Sequence, residues 1–189
     1  MSPRRSALRT RLTSIGYGVF YRLPPKVRTR LVRIATPTYT VGAVVLLFSS
    51  TEPRRLLLLR QPPGRGWSLP AGLLERGETP AQGAVREAAE ETGIEIDPAD
   101  LLPANPNAVV HTKGRWVDTV FTADLDPDRV ELSVDGAEVW EAAWHPLDDL
   151  PKMTVATGRL LGVYGIGPYA ADEPTGGLPG SRPAPRKDQ

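Results

Sequence analysis

Three glutamates and one arginine lie close together in a segment whose spacing is suited to binding a divalent cation. Glu87 and Glu91 are four positions apart, so in a helix their side chains lie above one another, and Glu90 lies about 60° further round the axis. Like charges at this spacing destabilise an isolated helix, whereas a divalent cation would neutralise them. Arg86 is four positions before Glu90 and can pair with it. Taken alone, these residues are more typical of an ordinary solvated helix face than of a metal site.

The composition restricts which metals such a cluster could hold. The 189 residues include no cysteine and only two histidines, which excludes disulfides, thiolate zinc sites, iron–sulfur clusters, cysteine nucleophiles and histidine-rich metal sites. Any metal must therefore be held mainly by oxygen, which favours hard cations such as Mg²⁺ or Mn²⁺. Gly72 lets the backbone approach closely, so its carbonyl could complete the ligand set.

A helix is predicted to carry these glutamates, and its ends are marked in the sequence. Thr79 is a good N-cap with Pro80 after it, and Gly93 is suited to the left-handed position that ends a helix at about Thr92. Small and apolar residues at helical spacing predict a face that packs on a sheet. These residues are Ala81, Ala84, Val85, Ala88 and Thr92.

The remaining elements are predicted from runs of apolar and β-branched residues. Helical spacing and the Pro24–Pro25 break predict two short helices in residues 1–36. The strands are predicted at 40–48, 55–60, 108–112, 115–124 and 138–145, with a short extended piece at 68–72 and a closing helix at 153–164. The first of these strands has the composition of a strand buried on both faces.

The full pattern around the glutamates resembles the Nudix box, G-x5-E-x7-R-E-U-x-E-E-x-G-U. Gly72, Glu78, Arg86, Glu87, Glu90, Glu91, Gly93 and Ile94 fill its positions at the required spacing, and Ala88 stands where the family usually has a bulkier apolar residue. Eight identities at fixed spacing are far more specific than a short glycine motif. The resemblance covers about 130 residues, from near 37 to near 167, and includes the 68–72 segment and the 138–147 segment.

The resemblance implies an α/β fold, a Nudix-type α/β/α sandwich with a mixed β-sheet, here preceded by a basic helical extension. It implies metal-dependent hydrolysis of the pyrophosphate bond in a nucleoside diphosphate linked to another moiety. By the same resemblance, Glu87, Glu90, Glu91 and the Gly72 carbonyl would hold the metal, and Arg86 would pair with a carboxylate. Glu78 would brace the loop, and Gly93 would be structural. A non-catalytic Nudix-fold module for ligand sensing or protein interaction is the alternative, although such relatives usually lack some of these glutamates.

The general base and the substrate contacts are less specified by the sequence. Glu87 is the first choice for the base, and Glu138, predicted to begin the late strand, is the second. Arg60, Arg65 and Arg115 could contact substrate phosphate, although isolated arginines are more often surface residues. The nucleotide itself could be a nucleoside triphosphate, a nucleotide sugar, a dinucleoside polyphosphate or a capped RNA.

Charge is distributed unevenly along the chain. Residues 1–51 contain nine Lys or Arg and no acid, so the rest holds 23 − 9 = 14 basic against 22 acidic residues. The expected organisation is a basic extension at 1–36, a Nudix domain at 37–167 and a flexible Pro/Gly-rich tail at 168–189. The basic arm could contact its own domain, an anionic membrane surface or RNA, and a homodimer could also use it. Without cysteine or a secretion signal, the cytoplasm is the default location.

Overall fold

The computed structural model describes residues 17–170. This part of the chain forms two compact units, the first ending at Tyr39 and the second beginning at Thr40. In the first unit, residues 17–22 are helical and helix α1 spans Pro25–Ala35, as predicted on either side of the two prolines. The helix predicted upstream of residue 17 and the tail predicted beyond residue 170 lie outside the described residues.

The second unit is built on one seven-stranded mixed sheet. Its strands are β1 (Thr40–Ser49), β2 (Arg55–Arg60), β3 (Trp67–Ser68), β4 (Ala71–Leu73), β5 (Leu102–His111), β6 (Trp116–Leu125) and β7 (Glu141–Pro146). β1 pairs parallel with β6 along its whole length, and β5 continues the sheet antiparallel to β6. β2 pairs antiparallel with β7 over its six residues.

Strands β1 and β2 diverge, and the segment that precedes the acidic helix lies between them. They pair directly only at Phe48 and Leu56. Further along, β3 pairs with β2 and β4 pairs with β1, placing Gly72 opposite Ala43. The central position of β1 explains its burial on both faces, since residues 43–48 are all buried.

Helices cover both faces of the sheet, which confirms the predicted α/β/α sandwich. Helix α2 (Pro80–Thr92) contributes Ala84 and Ala88 to the core that contains the odd-numbered residues of β1. Helix α3 (Val155–Val163) contributes Leu160 and Leu161 to the core that contains the even-numbered residues. Side chains alternate across a strand, so these two cores lie on opposite sides of the sheet. A short 3₁₀ helix, Pro98–Asp100, connects α2 to β5.

The ends of α2 form as the sequence predicts. The Thr79 hydroxyl accepts a hydrogen bond from the Gln82 N–H, and the Gln82 side chain accepts one from the Thr79 N–H. Gly93 adopts a left-handed φ of 76° and its N–H donates to the Ala89 carbonyl. Both ends of α2 are therefore fixed by local contacts.

Three predicted boundaries were wrong. β5 begins at Leu102 rather than 108 and changes register between Pro103 and Ala108. The late strand begins at Glu141 rather than Glu138, because the Asp135 carboxylate accepts the N–H groups of 137–139 and holds them in a turn. Helix α3 begins at Val155, two residues later than predicted, and Thr154 is its N-cap.

No helix within residues 17–170 combines the length and apolar character needed to cross a bilayer.

Candidate active site

Arg86 is the centre of a group of acidic side chains on α2 and the loop before it. This acidic group comprises Glu78, Glu87, Glu90 and Glu91. Its guanidinium donates to Glu78 (2.9 Å), Glu87 (2.7 Å) and Glu90 (2.8 Å), and also to the Leu73 carbonyl (3.0 Å). These carboxylates raise the pKa of Arg86 above its usual range. The Arg86 hydrogen bond in turn lowers the pKa of Glu78. One cation therefore aligns three carboxylates and ties α2 to the loop before it.

Glu78 links that loop to the helix from the other side. Its carboxylate accepts the N–H of Glu75 at 2.8 Å in addition to two contacts from Arg86. Arg86, which orients Glu87 and Glu90, therefore also anchors the loop between β4 and α2 through Glu78.

Glu91 is the most buried acid of the group, at 8% exposure. Its carboxylate accepts hydrogen bonds from the Ala71 N–H (2.9 Å) and the Gln61 side-chain amide (2.6 Å). Burial, helped by the charges of Glu87 and Glu138, raises the pKa of Glu91 to about 7 against the opposing effect of these hydrogen bonds. Burial of Glu91 was not predicted, because helical spacing alone placed it on a solvated edge.

Gly72 provides the space that Glu87 occupies. A Cβ on Gly72 would lie 1.8 Å from a Glu87 carboxylate oxygen, so the carboxylate lies directly over the bare Cα. The Gly72 carbonyl oxygen lies 3.1 Å from the corresponding Cβ position of Gly42, on β1. The Glu87 carboxylate therefore contacts the Cα of Gly72.

Glu138 lies in the turn before β7, exposed, and its charge acts on Glu91. The Asp135 carboxylate holds this turn by accepting three backbone N–H groups. These hydrogen bonds lower the pKa of Asp135, and the one from the Val139 N–H has the largest effect. The structure therefore brings Glu138 toward the α2 carboxylates from a different part of the chain.

The three arginines singled out in the sequence do not lie together. Arg60 and Arg65 line one open cavity of about 370 Å³. Arg115 lies instead in the turn before β6, with a left-handed φ of 56°. Gln61, which binds Glu91, and Lys152, which lines the cavity, were not identified from the sequence, because only long-range contacts bring them there.

The carboxylates fit a hard cation by their chemistry, although they are not already arranged as a complete site. Among residues 17–170, no three acidic, histidine or cysteine side chains converge on one cation position. The observation that favours a cation is the buried Glu91 carboxyl beside two further negative charges. Glu87 and Glu90 each have one oxygen without a hydrogen bond within the described residues, and these oxygens are available as ligands.

Comparison with known proteins agrees with this arrangement. The NUDIX domain family matches residues 38–161. Similar proteins include "8-oxo-dGDP phosphatase NUDT18" of Homo sapiens, 36% identical over 112 residues, and "Putative mutator protein MutT4" of Mycobacterium tuberculosis, 42% identical over 97 residues. These alignments cover 57% and 50% of this chain but only 33% and 39% of the relatives, so the chain aligns with less than half of either.

A solved structure shows the same fold. A MutT NUDIX hydrolase from Burkholderia pseudomallei superimposes with a TM-score of 0.50 at 28% identity, over 64% of this chain and 93% of that one. The domain match covers well over half of the chain and includes every residue of the box. The chain therefore belongs to the Nudix hydrolase family.

Proposed function

We propose that the protein hydrolyses the pyrophosphate bond of a nucleoside diphosphate linked to a second group, using Mg²⁺ or Mn²⁺. The observation that carries the proposal is a group of carboxylates: Glu91, buried on α2 with a pKa of about 7, lies beside Glu87 of the same helix and also feels the charge of Glu138 in the turn before β7. Such a group is unfavourable in a metal-free protein and becomes favourable when a divalent cation neutralises it. Family membership supports the same reaction class.

The cation would be held by Glu87, Glu90 and Glu91. The Gly72 carbonyl would be a fourth ligand. When bound, the cation offsets the charge of the pyrophosphate and lowers the pKa of a coordinated water.

The protein side chains have separate positioning and proton-accepting roles. Arg86 holds Glu87 and Glu90 in place through one nitrogen, Nη1, and Glu78 holds Arg86 from the loop. Where the free carboxylate oxygen of Glu87 accepts the proton of an attacking water, Glu90 and Glu91 hold the cation. Glu138 is the second candidate for this role, since it approaches the same carboxylates from the turn before β7.

The test is a nucleotide panel assayed with Mg²⁺, Mn²⁺ and EDTA, scoring phosphate, pyrophosphate and nucleoside monophosphate release. We expect cation-dependent release of a nucleoside monophosphate from at least one class of substrate. Glu87→Gln should lower kcat by about 100-fold or more, the scale of a lost general base. Glu95→Gln, an exposed glutamate just after α2, removes the same charge as a control and should retain full activity.

The alternative of a ligand-sensing module makes the opposite prediction in the same panel. A nucleotide that binds tightly without turnover, with either metal, would contradict hydrolysis and favour that alternative. Full activity in Glu87→Gln would contradict the role given to Glu87.

A further inference from the structure

A basic groove lies beside the end of β2, in a part of the domain that the acidic group does not use. It is an open cavity of about 370 Å³. The groove is lined by Arg60, Gly64, Arg65, Gly66, Trp67 and Lys152. Three of these six residues carry a positive charge, and none carries a negative one.

Long-range backbone contacts hold one side of the groove in place. The Trp67 N–H donates to the Lys152 carbonyl (3.0 Å), and the Thr154 N–H donates to the Trp67 carbonyl (2.9 Å). A Cβ on Gly66 would lie 2.6 Å from the carbonyl carbon of Met153, so only glycine permits this close approach. Lys152 is thereby fixed beside Trp67, although 85 positions separate them in the sequence.

The other side of the groove is held by Trp140. The backbone N–H of Trp140 donates to the Arg60 carbonyl at 2.8 Å. Its indole ring lies against Gly64, where an added Cβ would be 2.9 Å from a ring carbon. The groove is therefore built by ordered contacts on both sides rather than by a single exposed loop.

The charge of the groove is only partly compensated. Arg60 lies 3.7 Å from the Glu141 carboxylate, with both side chains half exposed. Within residues 17–170, neither Arg65 nor Lys152 forms an ion pair. Two cations without an ion pair and a third with a distant partner, beside glycine backbone, make up a surface whose charge suits a phosphate group.

The groove and the acidic group are connected through two neighbouring residues. Gln61 follows Arg60 and donates to Glu91, and Ser68 follows Trp67 and donates to Gln61 at 2.8 Å. Arg60 and Trp67 of the groove are therefore each one residue from a member of the hydrogen-bonded chain that ends on Glu91, so the groove and the acidic group adjoin at the end of β2 and β3.

We propose that this groove binds a phosphate group of the substrate outside the bond that is cleaved. The proposal rests on the proposed pyrophosphate hydrolysis and specifies its substrate class. The preferred substrates are then nucleotides whose second group carries a phosphate of its own, in preference to those whose second group is uncharged.

The first experiment measures anion binding without catalysis. Inorganic tripolyphosphate is titrated into the full chain in EDTA by calorimetry, and amide shifts are followed by NMR. We expect binding that shifts the Gly64 and Gly66 amides, and about tenfold weaker affinity in Arg65→Ala and in Lys152→Ala. Lys113→Ala, which removes an exposed lysine from the β5–β6 turn, should bind as the unaltered protein does. Unchanged affinity in both groove variants, or shifts confined elsewhere, would overturn the proposal.

The second experiment connects the groove to the substrate. KM is compared for two substrates of the same nucleotide, ADP-ribose and ADP-ribose with an added phosphate on the distal ribose. Arg65→Ala should raise KM for the phosphorylated substrate about tenfold more than for its partner. An equal change for both substrates would show that the groove does not recognise the added phosphate, which overturns the proposal. If no nucleotide is hydrolysed, the proposed function fails, while the EDTA titration still decides whether the groove binds phosphate.

Discussion

Glu91 combines deep burial with a carboxylate that must be ionised to bind a cation. Its hydrogen bonds from Ala71 and Gln61 favour the ionised form, yet burial raises its pKa to about 7. Those two hydrogen bonds also tie α2 to the segment that lies between β1 and β2. The residue is therefore both part of the candidate metal site and part of the domain's packing.

This burial predicts a pH dependence of stability in the metal-free protein. The pKa of Glu91 is raised above its ordinary 4.5, so folding favours the protonated form. Stability should therefore fall as pH rises from about 4.5 to about 7 and then level off, by on the order of 2 kcal/mol after allowance for solvent screening. Denaturant unfolding in EDTA at pH 5 and pH 8 measures this difference.

Glu91→Gln is the matched variant for that measurement. The amide is neutral at every pH, and Gln61 can turn its side chain to keep the hydrogen bond. The variant should lose most of the decrease between pH 5 and pH 8. A decrease of the same size in Glu91→Gln would show that another group is responsible. The lowered pKa values of Glu78 and Asp135 act below this pH range and would not produce it.

Gly72 predicts a specific effect on activity. In Gly72→Ala, the added methyl group would occupy the position of the Glu87 carboxylate, so that carboxylate must move. We expect folding to be retained, because the contact is with the end of a flexible side chain. Activity with Mg²⁺ should fall about 100-fold, the scale expected for a displaced catalytic group.

A double-mutant cycle identifies the cause of that loss. If Gly72→Ala acts through Glu87, then adding it to Glu87→Gln should cost little more activity than Glu87→Gln alone. Fully additive losses of the two substitutions would instead indicate an effect through β4 and its pairing with β1.

Helix α2 carries most of the acidic group, and its position depends on how the helix ends. Gly93 has a left-handed φ of 76°, and a Cβ there would lie 2.9 Å from the Ser133 Cβ. The Ser133 N–H also donates to the Thr92 carbonyl at 2.8 Å. The end of α2 is therefore in contact with the chain that leads to the Glu138 turn.

Gly93→Ala should destabilise the domain by about 1–3 kcal/mol, since it adds backbone strain and a steric contact. Gly77→Ala is the control, because Gly77 has a similar φ of 87° with no atom near its Cβ position. The difference in unfolding free energy between the two variants measures the Ser133 contact. Equal destabilisation would show that this contact does not hold the end of α2.

Local signals in the sequence predicted α2 well and the later elements less well. Thr79, Pro80 and Gly93 fix the helix ends through neighbours a few positions away. The start of β7 was misplaced because the Asp135 turn withdraws the N–H groups of residues 137–139 from any strand. β5 was shortened in the prediction because its prolines, such as Pro103, are unusual in strands.

The same distinction applies to the candidate site. The glutamates of α2 could be grouped from their spacing, since one helix carries them all. The burial of Glu91 and the approach of Lys152 to Trp67 could not be predicted, because both depend on pairing between distant segments. Arg60 and Arg65, five positions apart, line one cavity, whereas Arg115 lies in the turn before β6.

At the scale of the whole molecule, every residue of the acidic group and of the basic groove belongs to the unit that begins at Thr40. Both hydrophobic cores are also built from residues 43 onward. A chain that lacks residues 1–36 should therefore fold, keep its unfolding temperature, and retain kcat/KM within about twofold. Thermal unfolding and the nucleotide assay, compared with the full chain, measure these quantities.

The result also separates the interpretations of the basic arm. If the arm packs on its own domain, the shortened chain should unfold at a lower temperature, contrary to the expectation above. If the arm binds anionic surfaces, only the full chain should bind vesicles that contain phosphatidylserine, and added salt should weaken that binding. RNA binding would show a similar salt dependence but would not require lipid, so equal titrations with vesicles and with single-stranded RNA distinguish the two.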